Sequence, residues 1–303
     1  MRELMEIRTV GVMTPGEMGH AVGRVLRAVG LRVITCLEGR SERTAARSAQ
    51  ARIVAVADDL TLVREADVIL SILPPAHAVA MAERIAAAIR ATGTDLLYAD
   101  CNAIAPQTTC KIGDVLAAVG VRSVDGGIIG GPPTSSEAPT RLYVSGPDAP
   151  CLTRLQTPEL QVRVVGPSIG QASGLKMCYA ALTKGLTALA TEALAAGHVL
   201  GLEELLRSEL QESQGALLAW IERAIPRMPS KAGRWIGEME EIAATFGGVG
   251  LPPELMVGAA ALYRLISETA LGEETPDVRR QDPPASGVAE QLAAHVSPNG
   301  TRA

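Results

Sequence analysis

Over roughly the first half of the chain, short apolar, β-branched runs alternate with longer segments in which alanine, leucine and arginine recur at helical spacing. The runs at 7–13, 31–37, 53–56, 68–73, 96–100 and 121–125 have strand length. Their nearly unbroken apolar character predicts strands covered on both faces, and therefore a parallel sheet between helix layers. Two further strand-like pieces, 141–145 and 161–165, are expected to extend that sheet. After Gly166-Pro167 the strand pattern stops, and helical periodicity continues to about Gly272, opening with one long helix over about 169–200. The pattern predicts an α/β domain over 1–166 and an all-α domain over 167–272. The Pro- and charge-rich stretch 273–303 lacks sustained periodicity, so a flexible or partner-wrapping tail is expected there.

Composition narrows the possible functions. A length of 303 residues suits two domains, and at 47% hydrophobic residues the chain can fill two cores. Aromatic residues make up 2%, so alanine, leucine and valine must do the filling and no stacking platform for bases is available. A net charge of −5 argues against nucleic acid as a partner. The Ala/Leu-rich run 175–202 carries Lys176, Lys184 and Glu192, which predicts a core helix and no membrane span. Cys36, Cys101, Cys110, Cys151 and Cys178 are odd in number and lack metal-ligand spacing, so neither a disulfide framework nor a metal site is expected. A cytoplasmic location follows as an expectation, since the N-terminal MRELMEIRTV is too short and charged for a secretory signal.

The first chemical motif is Gly11-Val-Met-Thr14-Pro15-Gly16-Glu17-Met18-Gly19, which follows the first expected strand and opens the first helix. A dinucleotide phosphate site belongs at that place, where Gly16 lets backbone approach a pyrophosphate and Gly19 lets helix and strand pack closely. Thr14 stands where the usual GxGxxG has glycine, and an ordinary glycine turn is the competing reading. The end of the second strand carries Gly39, Arg40, Ser41 and Arg43, suited to a 2′-phosphate and so to NADP(H) over NAD(H). Glu38 is a competing carboxylate. Leu73 and Pro74 close the fourth strand as an apolar wall, Asn102 follows Asp100 at the end of the fifth, and Asp125 leads to Ile129, Gly130 and Gly131 after the sixth. All lie at carboxyl ends of strands, where open α/β sheets bind ligands. Downstream, the helix opened by Gly170 carries Lys176. If desolvated, that amine can exchange protons near neutrality; an exposed lysine on an apolar stem is the ordinary alternative. Arg234, Glu238 and Glu241 share one helical face, read either as a solvated charged face or as substrate contacts.

On these motifs the chain resembles the β-hydroxyacid dehydrogenase superfamily, which includes 3-hydroxyisobutyrate and 6-phosphogluconate dehydrogenases and the imine reductases. The resemblance covers nearly everything before the tail. It implies a Rossmann domain followed by a helical substrate and dimerisation domain, hence a homodimer. It also implies NAD(P) on Gly11, Gly16 and Gly19, substrate beside Asn102, Gly130 and Gly131, and Lys176 as catalytic acid/base. The departures are Asn102 for a family hydroxyl, Ile129 for a family serine, Ala180 for an asparagine and Tyr179 for a histidine. A phosphogluconate enzyme is not expected. The expected activity is NADP(H)-dependent hydride transfer on a small hydroxy acid or carbonyl compound, with Tyr179 as a replacement polar group. Imine reduction with Tyr179 as proton donor, and NADP sensing without turnover, remain the alternatives.

Overall fold

The computed structural model describes residues 6–274 and 282–296, which fall into two compact units divided between Met177 and Cys178. The first unit is built on a single sheet. Its strands are β1 (Thr9–Met13), β2 (Arg32–Cys36), β3 (Val54–Val56), β4 (Val68–Ser71), β5 (Leu97–Asp100), β6 (Arg122–Ile129), β7 (Thr140–Ser145) and β8 (Leu160–Gly166). Between them lie α1 (Glu17–Ala28), α2 (Glu42–Gln50), α3 (Asp59–Glu65), α4 (Ala78–Thr92) and α5 (Pro106–Ala117). The sheet order is β3-β2-β1-β4-β5-β6-β7-β8, parallel from β3 to β6, antiparallel between β6 and β7, and parallel again between β7 and β8. The chain leaves β1 in one direction and returns to the other side with β4, which makes the carboxyl ends of β1 and β4 the switch point where such sheets take ligands.

Both faces of the sheet are covered, as the unbroken apolar runs require. On one face Val10, Val12, Leu70 and Leu97 pack with Val22, Val25 and Leu26 of α1. On the other, Met13, Ile34, Ile69 and Tyr98 pack with Leu62 of α3, Ile85 of α4 and Ile112 of α5. At about 25 cal/mol per Å² of apolar surface, these two layers supply the main driving force for folding this unit.

The second unit is helical among the described residues. It follows α6 (Gln171–Ala180), which leads through a wide π turn at Ala181–Gly185 into α7 (Leu186–Val199), so the expected single helix has an irregular middle. Then come α8 (Glu203–Ser213), α9 (Gly215–Ala224), α10 (Ala232–Gly248), α11 (Glu254–Ser267), α12 (Ala270–Glu273) and α13 (Ala285–His295). Met239 and Ile242 of α10 are buried, as are Met256, Tyr263 and Ile266 of α11. Among the described residues no helix is long and apolar enough to cross a membrane.

Three expectations need correction. The expected strand 121–125 continues to Ile129, because Gly126 and Gly127, which look like turn punctuation, serve close packing. A Cβ on Gly126 would lie 2.8 Å from Cys101 Sγ, and one on Gly127 would lie 2.8 Å from the Ala172 carbonyl oxygen. The boundary expected at 166/167 falls instead between Met177 and Cys178, because the start of α6 is bonded to the sheet. The tail expected to be flexible over 273–303 contains α13, which buries Ala285, Val288, Ala289 and Leu292. Those four positions are a helical stripe with spacings of three, four and seven, masked in the sequence by the small side chains and the prolines before it. Residues 275–281 and 297–303 of that tail lie outside the described residues.

Candidate active site

The glycine turn joins β1 to α1 with the features a phosphate cradle needs. Gly16 is the N-cap of α1 and provides no side-chain cap, and a Cβ placed on it would meet nothing within 4 Å. Space is thus open beside Gly16 at the N-terminus of α1, where the positive end of the helix dipole lies. Gly19 does the packing. A Cβ there would sit 2.0 Å from the Thr14 carbonyl oxygen, so no other residue fits. Thr14 is held by its N–H donating to the Ile72 carbonyl at 3.0 Å. Gly11 and Pro15 are buried, and Glu17 and Met18 are partly exposed in the first turn of α1.

At the end of β2, Ser41 caps α2 by accepting from the Thr44 N–H. Arg40 is partly buried, and its Nε meets no hydrogen-bond partner among the described residues. Burial and the neighbouring Arg84 cation push its guanidinium below the usual arginine range. Arg84, from α4, grips Asp59 through Nε and Nη2 and lies 3.8 Å from both Cys36 Sγ and Glu38. Arg40 therefore is the cation here with a donor to spare, while Arg43 is exposed. Sequence reasoning missed Arg84 and Asp59, since nothing in linear spacing links α3 and α4 to this turn.

Asn102 is placed differently from the expectation of a substrate-facing amide. It is 3% exposed, and both amide hydrogens are used, to Ser71 Oγ at 3.0 Å and to Asp100 Oδ2 at 2.8 Å. Its Oδ1 accepts from the Leu73 N–H at 2.6 Å. A buried polar group with good partners stays with them. Asn102 is thus a positioning residue that ties the carboxyl ends of β4 and β5 together and sets the course of Leu73 and exposed Pro74.

Asp125 organises the next part of the site. One oxygen of its carboxylate, Oδ2, accepts from Ser145 Oγ, the N–H groups of Gly170 and Ala172, and both N–H and Oγ of Ser173, at 2.9–3.2 Å. The three backbone N–H groups among them lie at the start of α6, where a helix leaves its donors without intrahelical acceptors. Burial pushes the carboxyl up from the ordinary aspartate range, and the hydrogen bonds from Ser173, Ser145 and Gly170 pull it partly back. Held this way, α6 lies against β6 where Gly127 has no side chain. A Cβ there would approach Lys176 Cβ to 3.0 Å. Lys176 is therefore fixed by its backbone over the strand that ends in Ile129 and Gly130-Gly131, and it is partly buried. Ile129 is 3% exposed, whereas Gly130 and Gly131 are exposed, with Gly130 at φ +116° where glycine is favoured.

Of the remaining expected site residues, Tyr179 is 43% exposed on α6, and Arg234 and Glu238 lie on α10 in the second unit. Glu238 is 6% exposed and pairs with Lys184 from the π turn, whose ammonium also lies 5.0 Å from the centroid of the Trp235 ring. The Tyr263 hydroxyl donates to the Lys184 carbonyl at 2.6 Å, and the Trp235 and Tyr263 rings meet edge-on at 5.3 Å. Burial, with Glu238 second, pushes the Tyr263 hydroxyl far above the usual tyrosine range. Arg234 adds a longer contact of 3.8 Å to the second oxygen of Glu238. The expected substrate contact at Glu238 is thus corrected to a structural ion pair. Its signal was a second lysine in the Ala/Leu-rich run.

Residues 9–156 match the family described as the NAD binding domain of 6-phosphogluconate dehydrogenase, and residues 198–266 match a domain of unknown function. An uncharacterized 28.5 kDa protein in the 7S RNA 5′ region of Methanothermus fervidus is 27% identical over 206 residues, 68% of this chain and 77% of that one. A solved conserved protein described as structurally similar to 3-hydroxyacid dehydrogenases is 27% identical, with a TM-score of 0.64 over 86% of this chain and 97% of its own. The 3-hydroxyisobutyrate dehydrogenase of Mycobacterium tuberculosis, solved with L-serine, shares the fold at a TM-score of 0.70 and 17% identity, over 95% of this chain and 99% of its own.

The buried ion pair yields a test of its structural role. Glu238→Ala leaves the Lys184 ammonium without its carboxylate, and is expected to cost about 3 kcal/mol of unfolding free energy. Urea melts of both proteins measure it; a loss under about 0.5 kcal/mol, the level of an ordinary surface substitution, contradicts the structural assignment.

Proposed function

Because this chain belongs to the β-hydroxyacid dehydrogenase superfamily, we propose that it is an NADP(H)-dependent oxidoreductase acting on a small hydroxy acid or the matching carbonyl compound. The observation that carries this reading is the mounting of Lys176: α6 is bonded to the sheet through Asp125 and seated on Gly127, beside the exposed Gly130-Gly131 turn.

The residues present fit a dinucleotide. The open space at Gly16 and the uncapped first turn of α1 suit a pyrophosphate, and the unpartnered Nε of Arg40 suits a 2′-phosphate. When bound, the cofactor supplies or accepts hydride at C4 of its nicotinamide. Lys176 Nζ takes the hydroxyl proton as the alcohol is oxidised, and returns a proton to the carbonyl oxygen on reduction. The N–H groups of Gly130 and Gly131 orient the substrate, while Asn102 acts at one remove, keeping Leu73 and Pro74 in place beside the cofactor. We also infer a homodimer formed through the helical unit, supported by the exposure of Leu182, Leu189, Leu200, Leu205 and Leu255.

Cofactor choice is tested by the dissociation constants of NADPH and NADH for the native protein and Arg40→Ala. NADPH is expected to bind more tightly to the native protein, and the substitution to weaken it roughly tenfold or more while sparing NADH, as loss of a charge-assisted hydrogen bond implies. Native preference for NADH, or unchanged NADPH affinity in the variant, removes the 2′-phosphate assignment. Proton transfer is tested with Lys176→Met on a panel of hydroxy acids, keto acids and imines followed by NADPH consumption or formation. Turnover on the best substrate is expected to fall by roughly a hundredfold to ten-thousandfold, with NADPH affinity unchanged. Near-native turnover in a folded Lys176→Met protein makes the lysine structural and Tyr179 the leading proton donor. Activity confined to imines gives the imine-reductase alternative, and NADPH binding with no turnover on any class gives the sensor.

A further inference from the structure

The antiparallel pairing of β6 and β7 sets Asp125 opposite Ser145, Gly127 opposite Tyr143 and Ile129 opposite Arg141. Directly opposed residues of such a pair present their side chains on one face of the sheet. That face is identified twice. Ser145 Oγ donates to the same Asp125 carboxylate that holds α6, and the bare α-carbon of Gly127 abuts Ala172 and Lys176 of α6. Arg141 therefore stands on the Lys176 side of the sheet. It lies diagonally from Gly127, about 7 to 8 Å away across the strands, and next to Thr140, whose hydroxyl donates to the Gly131 carbonyl at 2.5 Å.

The Arg141 side chain is partly buried, and its Nε is fully enclosed without a hydrogen-bond acceptor among the described residues. Its neighbours do not relieve this. Ile129 opposite is apolar, and Tyr143 on the same strand accepts from Arg163, which also donates to Gln161. A guanidinium offers five donors in a planar fork and no acceptor, so a partly buried one whose Nε lacks an acceptor is complementary to a planar anion reaching the rest of the fork.

We propose that Arg141 is a specificity-determining residue of this site, its guanidinium binding the carboxylate of the hydroxy acid proposed above. This rests on the reading of Lys176 as the proton-transfer group, but the test is a binding measurement that requires neither turnover nor cofactor. Malonate, its neutral analogue malonamide and inorganic phosphate are titrated calorimetrically into the native protein, Arg141→Lys and Arg141→Met, and NADPH is titrated separately into the same three. Malonate is expected to bind the native protein, to bind Arg141→Met at least tenfold more weakly, and to fall between the two in Arg141→Lys, which keeps the charge but loses the fork. Malonamide is expected not to bind, phosphate to bind more weakly than malonate, and NADPH affinity to be the same in all three. Absent malonate binding to the native protein, equal binding to Arg141→Met, equal binding of malonamide, or tighter binding of phosphate overturns the proposal. If Arg141→Met does not fold, the Arg141→Lys comparison decides, with undiminished malonate affinity overturning it. Failure of NADPH to bind the native protein counts against the oxidoreductase reading and leaves the malonate comparison to judge Arg141 by itself.

Discussion

The carboxylate of Asp125 receives the Ser145 hydroxyl from β7 and the Gly170, Ala172 and Ser173 donors from the start of α6. A buried carboxylate is expensive unless its lone pairs are filled, and first-turn helix donors are expensive unless accepted. Each requirement is met by the other. The consequence is positional: α6 begins where the strand β6 can accept it, and Lys176 is set above Gly127 before any substrate or cofactor arrives.

Close approach completes that arrangement. Gly19 lets α1 touch the Thr14 carbonyl, Gly126 lets β6 touch the end of β5, and Gly127 lets α6 touch β6. Each side-chain deletion brings backbone to where chemistry is proposed. The helical unit uses another device, setting Lys184 of its π turn against Glu238, Trp235 and Tyr263. π turns are rare and widen a helix locally, and here the widened turn places a lysine side chain against α10. Breaking such a pair leaves a charge stranded, which explains how an acidic residue on a helical face can be structural instead of solvated.

Much of the fold was legible in the sequence because strands buried on both faces are written as continuous apolar runs; all eight expected runs correspond to strands in the sheet. The end of β6 was not, because glycine signals both turns and close packing. α13 was not, because two of the four positions of its buried stripe are alanines and prolines precede it. At the site, the glycine turn, Arg40 and the Lys176 helix could be located from order along the chain. What order cannot supply is register and partner. The engagement of Asn102 with Ser71, Asp100 and Leu73, the hold of Arg84 on Asp59, and the position of Arg141 opposite Ile129 arise from strands and helices far apart in sequence.

The claim that Asp125 fixes the start of α6 is tested most directly by amide hydrogen exchange at Gly170, Ala172 and Ser173 in the native protein and in Asp125→Ala. These donors depend on Asp125 and Ser145 for acceptors. Their protection is expected to fall by roughly tenfold to a hundredfold in the variant, while amides of β1, β4 and β5 keep theirs. Unchanged protection at Gly170 and Ser173 in a folded Asp125→Ala protein contradicts it, and with it the physical basis given for the placement of Lys176.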